Sequence, residues 1–153
     1  LIELNPVFCR HLSKRLPLEE IERRGIRVRL HQLDVREYQA PGGYDYIVSG
    51  LPFANFDSAT VSGILNSYMA NLAPEGVLSF FEYVLPHWLR LFFLTRQEHD
   101  RWKSVIRLIR SYQEKHQTGC SRIWLNLPPA RARHLRKNKH VPPIAVYTPG
   151  ETY

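Results

Sequence analysis

The chain's patterning predicts an α/β fold in which strands and helices alternate around a parallel sheet with helices on both faces. Three observations point there. Short β-rich runs end in polar or turn residues, segments of helical period follow them, and 44% hydrophobic residues within 153 supply one domain's core.

Leu1-Ile-Glu-Leu4, closed by Asn5-Pro6, predicts a strand, and Phe8, Leu12 and Leu16 at helical spacing predict the helix after it. Ile26, Val28 and Leu30 alternate with Arg27 and Arg29 ahead of Leu33-Asp34, and Tyr46-Ile47-Val48 precedes Ser49-Gly50-Leu51-Pro52-Phe53. Two more strands follow from those patterns. Asp57 or Ser58 caps a helix whose face is Val61, Ile64, Leu65, Tyr68 and Leu72, with Pro74-Glu75-Gly76 as its stop and a strand over Val77 to Tyr83 beyond.

In the second half, Thr95-Arg-Gln-Glu98 is a capping box, so a helix starts there, apart from the short apolar segment Trp88 to Leu94. Trp102, Val105, Ile106, Ile109 and Tyr112 form its face, with Arg101, Lys103, Arg107 and Arg110 largely off it. Thr118-Gly119 predicts a turn, Ile123-Trp124-Leu125 a strand, Pro128-Pro129 a turn and Ala130 to Arg136 a returning strand. Val141 to Tyr153 holds three prolines and a glycine and predicts a loose tail, leaving residues 1–140 as the domain.

Charge divides the chain. Residues 1–85 carry eight Lys and Arg against ten Asp and Glu, while residues 86–140 carry thirteen against three, within a total of +7. The basic half points to an acidic partner, either nucleic acid or an anionic membrane surface. Arg131, Arg133, His134, Arg136, Lys137, Lys139 and His140 are its densest run, read either as a solvated face or as a site for lipid or RNA phosphates. Pro86 to Leu94 with the basic helix fits either an interfacial element or ordinary packing against the sheet. Two cysteines, Cys9 and Cys120, make neither a disulfide framework nor a zinc cluster, and a reducing cytoplasm is the default location. No apolar run reaches the roughly 18 to 20 residues of a spanning helix.

In α/β sheets, ligands gather beyond the carboxyl ends of the strands. Those ends carry Glu3, Asp34, Ser49 to Phe53 and Tyr83. A carboxylate such as Glu3 accepts both hydroxyls of a ribose, or simply sits in a turn. Asp34 accepts from an exocyclic amine, or ends its strand. Ser49-Gly-Leu-Pro-Phe53 offers rigid backbone carbonyls and a ring, with Phe53 as a core plug as the plainer alternative. The seven histidines show no H-x-x-x-H pair, Gln97-Glu98-His99 matches no zinc-binding helix pattern, and neither a nucleophile elbow nor a phosphate loop is present, so a metal site, a hydrolase and a kinase have no anchor.

Ile2-Glu3-Leu4-Asn5, Leu33-Asp34-Val35 and Asp45 to Phe53, spaced one strand-helix unit apart, resemble class I S-adenosylmethionine-dependent methyltransferases and their Rossmann-like sheet. Ser-Gly-Leu-Pro-Phe followed by Asn55-Phe56, Pro-Glu-Gly before Phe-Phe-Glu-Tyr, and Trp124-Leu-Asn-Leu-Pro-Pro-Ala130 look like the bacterial phospholipid N-methyltransferases. The resemblance implies S-adenosyl-L-methionine as cofactor, with Glu3 on its ribose and Asp34 with Val35 at its adenine. Ser49, Gly50, Leu51, Pro52 and Phe53 would line the methyl-transfer site, with Ser49 also beside the cofactor and Tyr83 bordering the acceptor. The implied partner is an anionic phospholipid surface, met peripherally at the inner face of the membrane.

The family's Gly-rich loop lies on the strand before Glu3 and is absent from this sequence, so the domain is expected to be N-terminally incomplete or a degenerate binding module. The rival resemblance is to ribosomal RNA adenine N6-methyltransferases, whose Asn-Leu-Pro-Tyr motif has Gly50 at the Asn position here. That replacement removes an acceptor for the adenine amine.

Overall fold

The computed structural model describes residues 1–83, 95–123 and 130–137. The predicted features at 84–94, Trp124 to Pro129, Lys139, His140 and the tail lie outside the described residues. The chain forms two compact units, Leu1–Gln39 and Ala40–Tyr153.

In the first unit, β1 (Ile2–Glu3) pairs in parallel with β2 (His31–Gln32), Glu3 opposite Gln32. Helix α1 (Pro6–Arg15) starts as its sequence dictates: the Asn5 side chain accepts from the Val7 N–H at 2.8 Å and Pro6 fills the first turn. A short α2 (Leu18–Arg23) follows, which periodicity did not suggest. Two expectations change. The strand expected over Ile26 to Leu30 forms no ladder there; pairing is confined to His31–Gln32, because its partner β1 is itself only two residues long. Phe8 does not lie on a buried face of α1 but is 57% exposed, and the helix instead buries Cys9, whose Sγ–H reaches the Glu3 carbonyl at 3.3 Å.

The second unit holds a four-stranded sheet in the order β3-β4-β6-β5. β3 (Tyr44–Ser49) runs parallel to β4 (Leu72–Tyr83), while β6 (Ala130–Arg136) lies antiparallel between β4 and β5 (Gln117–Ile123). The sheet is therefore mixed rather than wholly parallel, since β5 and β6 follow each other closely enough to return as a hairpin. Thr118-Gly119 lies inside β5 instead of in a turn. The ladder shifts register between Gln117 and Gly119, and glycine inside a strand is a frequent mark of such a bulge. Ile123 ends β5 rather than opening a strand.

Helix α3 (Ser58–Asn71) begins where Asp57 accepts from the Thr60 N–H, and buries Val61, Ile64, Leu65 and Tyr68 as its period requires. Its stop is tight: β4 starts at the next residue, and Pro74-Glu75-Gly76 falls in a bulge between the Tyr44–Leu72 and Tyr46–Val77 pairs. A Cβ on Gly76 would come within 2.5 Å of the Tyr44 carbonyl oxygen, so only glycine fits there. Helix α4 (Arg96–His116) opens on the expected capping box, Thr95 and Glu98 exchanging hydrogen bonds. Its Val105 and Ile109 join Leu65, Leu72, Leu78, Phe80 and Leu135 in the core, and its Tyr112 hydroxyl donates to Asn66 of α3. Arg101, Lys103, Arg107 and Arg110 face solvent, as their spacing predicts.

Candidate active site at the carboxyl ends of the strands

Glu3 closes β1. One of its oxygens, Oε1, accepts the Asn5 N–H at 2.7 Å, which fixes the carboxylate against the turn into α1. The other carboxylate oxygen is left to accept from a ligand's hydroxyls, so the acceptor chemistry fits a diol such as ribose. Asp34 follows β2 and caps a 3-10 turn at Val35–Glu37. Arg36 dominates its surroundings: the guanidinium donates to both Asp34 oxygens, at 2.6 Å from Nη2 and 3.0 and 3.1 Å from Nε, and the Arg36 N–H adds a bond at 2.9 Å. Hydrogen bonds from Arg36, side chain first and backbone second, hold the Asp34 carboxyl below its ordinary pKa. An adenine amine would have to share Asp34 with that fork. Aspartate followed two residues later by arginine was the available signal for this pair. Glu3, Asp34 and Val35 all belong to the first unit.

Ser49 to Phe53 and Tyr83 belong to the second. Ser49 is the last residue of β3 and is 4% exposed. Its Oγ lies 2.9 Å from the Tyr68 hydroxyl of α3 and accepts the Leu51 N–H at 3.3 Å. Burial raises the Tyr68 pKa, and the Ser49 hydrogen bond opposes that rise. The chain Tyr68, Ser49, Leu51 therefore ties the start of the loop to a core helix. Reading the sequence assigned Tyr68 to a buried face and missed this polar role, for which an aromatic on an apolar stripe gives no signal.

The loop's carbonyls are partly spent within it. The Leu51 carbonyl accepts the Phe53 N–H at 3.0 Å and the Pro52 carbonyl accepts the Asn55 N–H at 2.9 Å, closing a 3-10 turn over Phe53–Asn55. Phe53 is 4% exposed and meets Phe80 edge-on, with ring centroids 5.3 Å apart. Its ring thus sits in the core, the plainer of its two sequence readings, because packing on Phe80 removes a large apolar surface from water. A Cβ on Gly50 would make an ordinary contact with the Phe81 ring at 3.7 Å, so that glycine leaves open space beside the loop without being sterically obligatory. Tyr83 closes β4 opposite Ala130, at the same carboxyl edge of the sheet.

The basic run is not a simple solvated face. Arg131, Arg133, His134 and Arg136 lie on β6, an interior strand of the sheet; Arg136 is 8% exposed, and His134 Nδ1 lies 2.9 Å from Ser79 Oγ. Among the described residues, no group of three or more His, Cys, Asp and Glu could hold a metal ion, and no helix is long and apolar enough to cross a membrane.

No protein-family profile and no curated protein sequence matches the chain. Solved structures do share its fold. The PH0226 protein of Pyrococcus horikoshii superposes with a TM-score of 0.61 at 14% identity, over 88% of this chain and 69% of that one. N-methyltransferase NodS from Bradyrhizobium japonicum, also solved with S-adenosyl-L-homocysteine, gives 0.53 at 14% identity over 88% and 70%. A Listeria monocytogenes protein described as a class I S-adenosylmethionine-dependent methyltransferase gives 0.53 at 13% identity over 98% and 46%. The chain spans 52% of a further structure of this fold, so it corresponds to about half the length of some of the proteins it resembles. The α/β architecture with a sheet and flanking helices is thus that of Rossmann-like methyltransferases.

Proposed function

We propose that the protein belongs to an S-adenosylmethionine-dependent N-methyltransferase whose acceptor is the amine of an anionic, membrane-associated molecule, namely a phospholipid head group. The observation that carries this reading is the loop after β3: an uncharged segment, pinned through Ser49 to Tyr68, at the carboxyl edge of a sheet whose structural neighbours include an N-methyltransferase. Bound S-adenosylmethionine supplies an electrophilic methyl group. Glu3 fits the cofactor's ribose through its remaining oxygen, and Asp34 with Val35 lies at the next strand end, where the adenine would sit.

An uncharged amine attacking in line needs positioning and loss of water more than it needs a base. The Gly50 carbonyl, on a backbone held at Ser49 and again at Leu51, orients the amine N–H; Leu51 and Pro52 shape the floor, and Tyr83 borders the acceptor. Phe53 contributes by bracing the turn from the core rather than by stacking on substrate. That buried ring, together with Gly50 in place of an amide side chain, supports a small amine over an adenine base. The exposed cations of α4 suit an anionic bilayer.

The test is transfer of label from S-adenosylmethionine by the full-length protein given liposomes of phosphatidylethanolamine and phosphatidylglycerol alongside total RNA. Label in the phospholipid is expected. Label in RNA with blank lipid overturns the acceptor, and a protein that shows no thermal shift with the cofactor overturns the enzyme reading.

A further inference from the structure

Arg122, Arg131 and Arg133 share one face of the sheet with Glu82. The register sets this. Glu82 stands opposite Arg131, Arg131 opposite Arg122, and Arg133 opposite Phe80 on one side and Cys120 on the other. Directly opposed residues of neighbouring strands point to the same face. Ser49 in turn stands opposite Phe80, so Ser49, Phe80 and Arg133 form one row across the sheet. Glu82, Arg131 and Arg122 form the next row toward the carboxyl edge. With strands about 4.8 Å apart, Arg131 and Arg122 come on the order of 10–15 Å from the Ser49–Phe53 loop.

The cations on this face exceed what the fold supplies to them. Arg133 donates from Nε to Glu82 at 2.8 Å and from Nη1 to Gln117 at 3.0 Å. Arg131 keeps a buried Nε with no hydrogen-bond partner. Arg122 is exposed directly across from it. The two segments that leave these strand ends, residues 84–94 and 124–129, contain no Asp or Glu, so their sequences bring no second carboxylate. Like charges placed directly opposite in a ladder destabilise it, and a buried donor without an acceptor adds to that cost. A bound anion relieves both.

We propose that Arg122, Arg131 and Arg133 form a subsite for a phosphate group on the methyl acceptor, with Glu82 fixing the orientation of Arg133. Planar guanidinium forks carried on one face by neighbouring strands match the oxygens of a phosphate ester better than point charges do. This deepens the amine-methylation reading and rests on it only for which molecule carries the phosphate. Phosphate binding itself stands on the geometry.

Calorimetric titration tests it with three probes: glycerophosphoethanolamine, inorganic phosphate, and vesicles of phosphatidylethanolamine with phosphatidylglycerol. The proteins compared are the unaltered chain, Arg131→Gln, Arg122→Gln and, as a control, Arg15→Gln on α1. Affinity for the phosphate ester is expected to fall roughly tenfold in each of the first two variants, as the loss of one charge-assisted bond implies, and to stay unchanged in the control. Arg122 is exposed, so its variant keeps the test valid if Arg131→Gln fails to fold. Preference for the ester and vesicles over inorganic phosphate identifies a lipid head group as the source; equal affinity for all three identifies free phosphate, and either result supports the subsite. No binding of any probe, or equal affinities in all four proteins, overturns it. A chain that binds the ester through these arginines yet transfers no methyl group contradicts the methylation reading and leaves the subsite standing.

Discussion

In Leu1–Gln39 the candidate binding groups are held by neighbours in sequence: Glu3 by the amide two residues on, Asp34 by Arg36, α1 by Asn5. Cys9 is the one hydrophobic residue buried there among the described residues, and Leu1, Leu4, Val7, Phe8 and Ile26 are exposed. In Ala40–Tyr153 the corresponding groups hang on long-range packing. Ser49 is held by Tyr68 nineteen residues on, and Glu82 by Arg133 across a ladder, around a core of Leu65, Leu78, Phe80, Val105 and Leu135. The difference teaches that hydrogen-bonded turns suffice to present a carboxylate, whereas an uncharged loop needs a core behind it to hold its shape.

The sharpest way to break that contrast is a pair of truncations. Leu78→Ala removes a side chain that is 0% exposed and is expected to cost about 2–5 kcal/mol in denaturant unfolding. Phe8→Ala, at 57% exposure, is expected to stay within about 0.5 kcal/mol. Equal costs would erase the distinction between the units.

Tyr68→Phe comes next. It deletes the partner of a buried Ser49 hydroxyl, so about 1–3 kcal/mol of stability is expected to go. Methyl transfer at saturating acceptor should fall as well, since the Leu51 end of the loop loses its anchor. Unfolding and initial-rate measurements on one preparation separate the two effects, and unchanged values in both would show that the loop is held otherwise.

A smaller effect probes a local device inside the second unit. Thr95→Ala breaks the capping box of α4 and is expected to cost about 1 kcal/mol, read as a lowered unfolding midpoint with unchanged m-value.

The smallest is a pH effect. Arg36 depresses the folded-state pKa of Asp34, so the pair's contribution is fully present above the ordinary carboxylate pKa of about 4 and is lost as pH falls through the depressed value. Because Arg36 is 47% exposed, solvent screening limits the contribution to roughly 1 kcal/mol or less. Asp34→Asn should therefore lower stability at neutral pH and converge with the unaltered protein in strong acid. Parallel curves across that range would assign the pair no energetic role.

The same contrast explains how much could be read from the sequence. Thr95 with Glu98, and Asp57 or Ser58 ahead of α3, were legible because a cap is complete within four residues, whereas Asn5-Pro6 read only as a turn and turns out to cap α1. The faces of α3 and α4 were legible because a 3.6-residue period writes burial directly into the sequence. Ile26 to Leu30 alternates as a strand does, yet a ladder needs a partner, and β1 offers two residues. Thr118-Gly119 reads as a turn in the sequence, and only β6 beside it shows the register shift inside a strand. Glu3 and Ser49 do close strands, as the turn residues after them suggest, while Asp34 stands two residues beyond β2 as the cap of a 3-10 turn. The inward turn of Phe53, the Tyr68 hydroxyl on Ser49 and the opposition of Arg122 to Arg131 depend on tertiary packing and register, which no local pattern encodes.

In the proposed complex the Ser49–Phe53 loop presents an amine whose phosphate is held by the arginines of β5 and β6. The most direct test is kcat/KM for methyl transfer by the full-length protein to glycerophosphoethanolamine against ethanolamine, which carries the same amine without the phosphate. A preference of tenfold or more for the phosphate-bearing amine is expected, lost in Arg122→Gln, consistent with roughly 1.4 kcal/mol per tenfold. Equal kcat/KM for the two amines in the unaltered protein would contradict it.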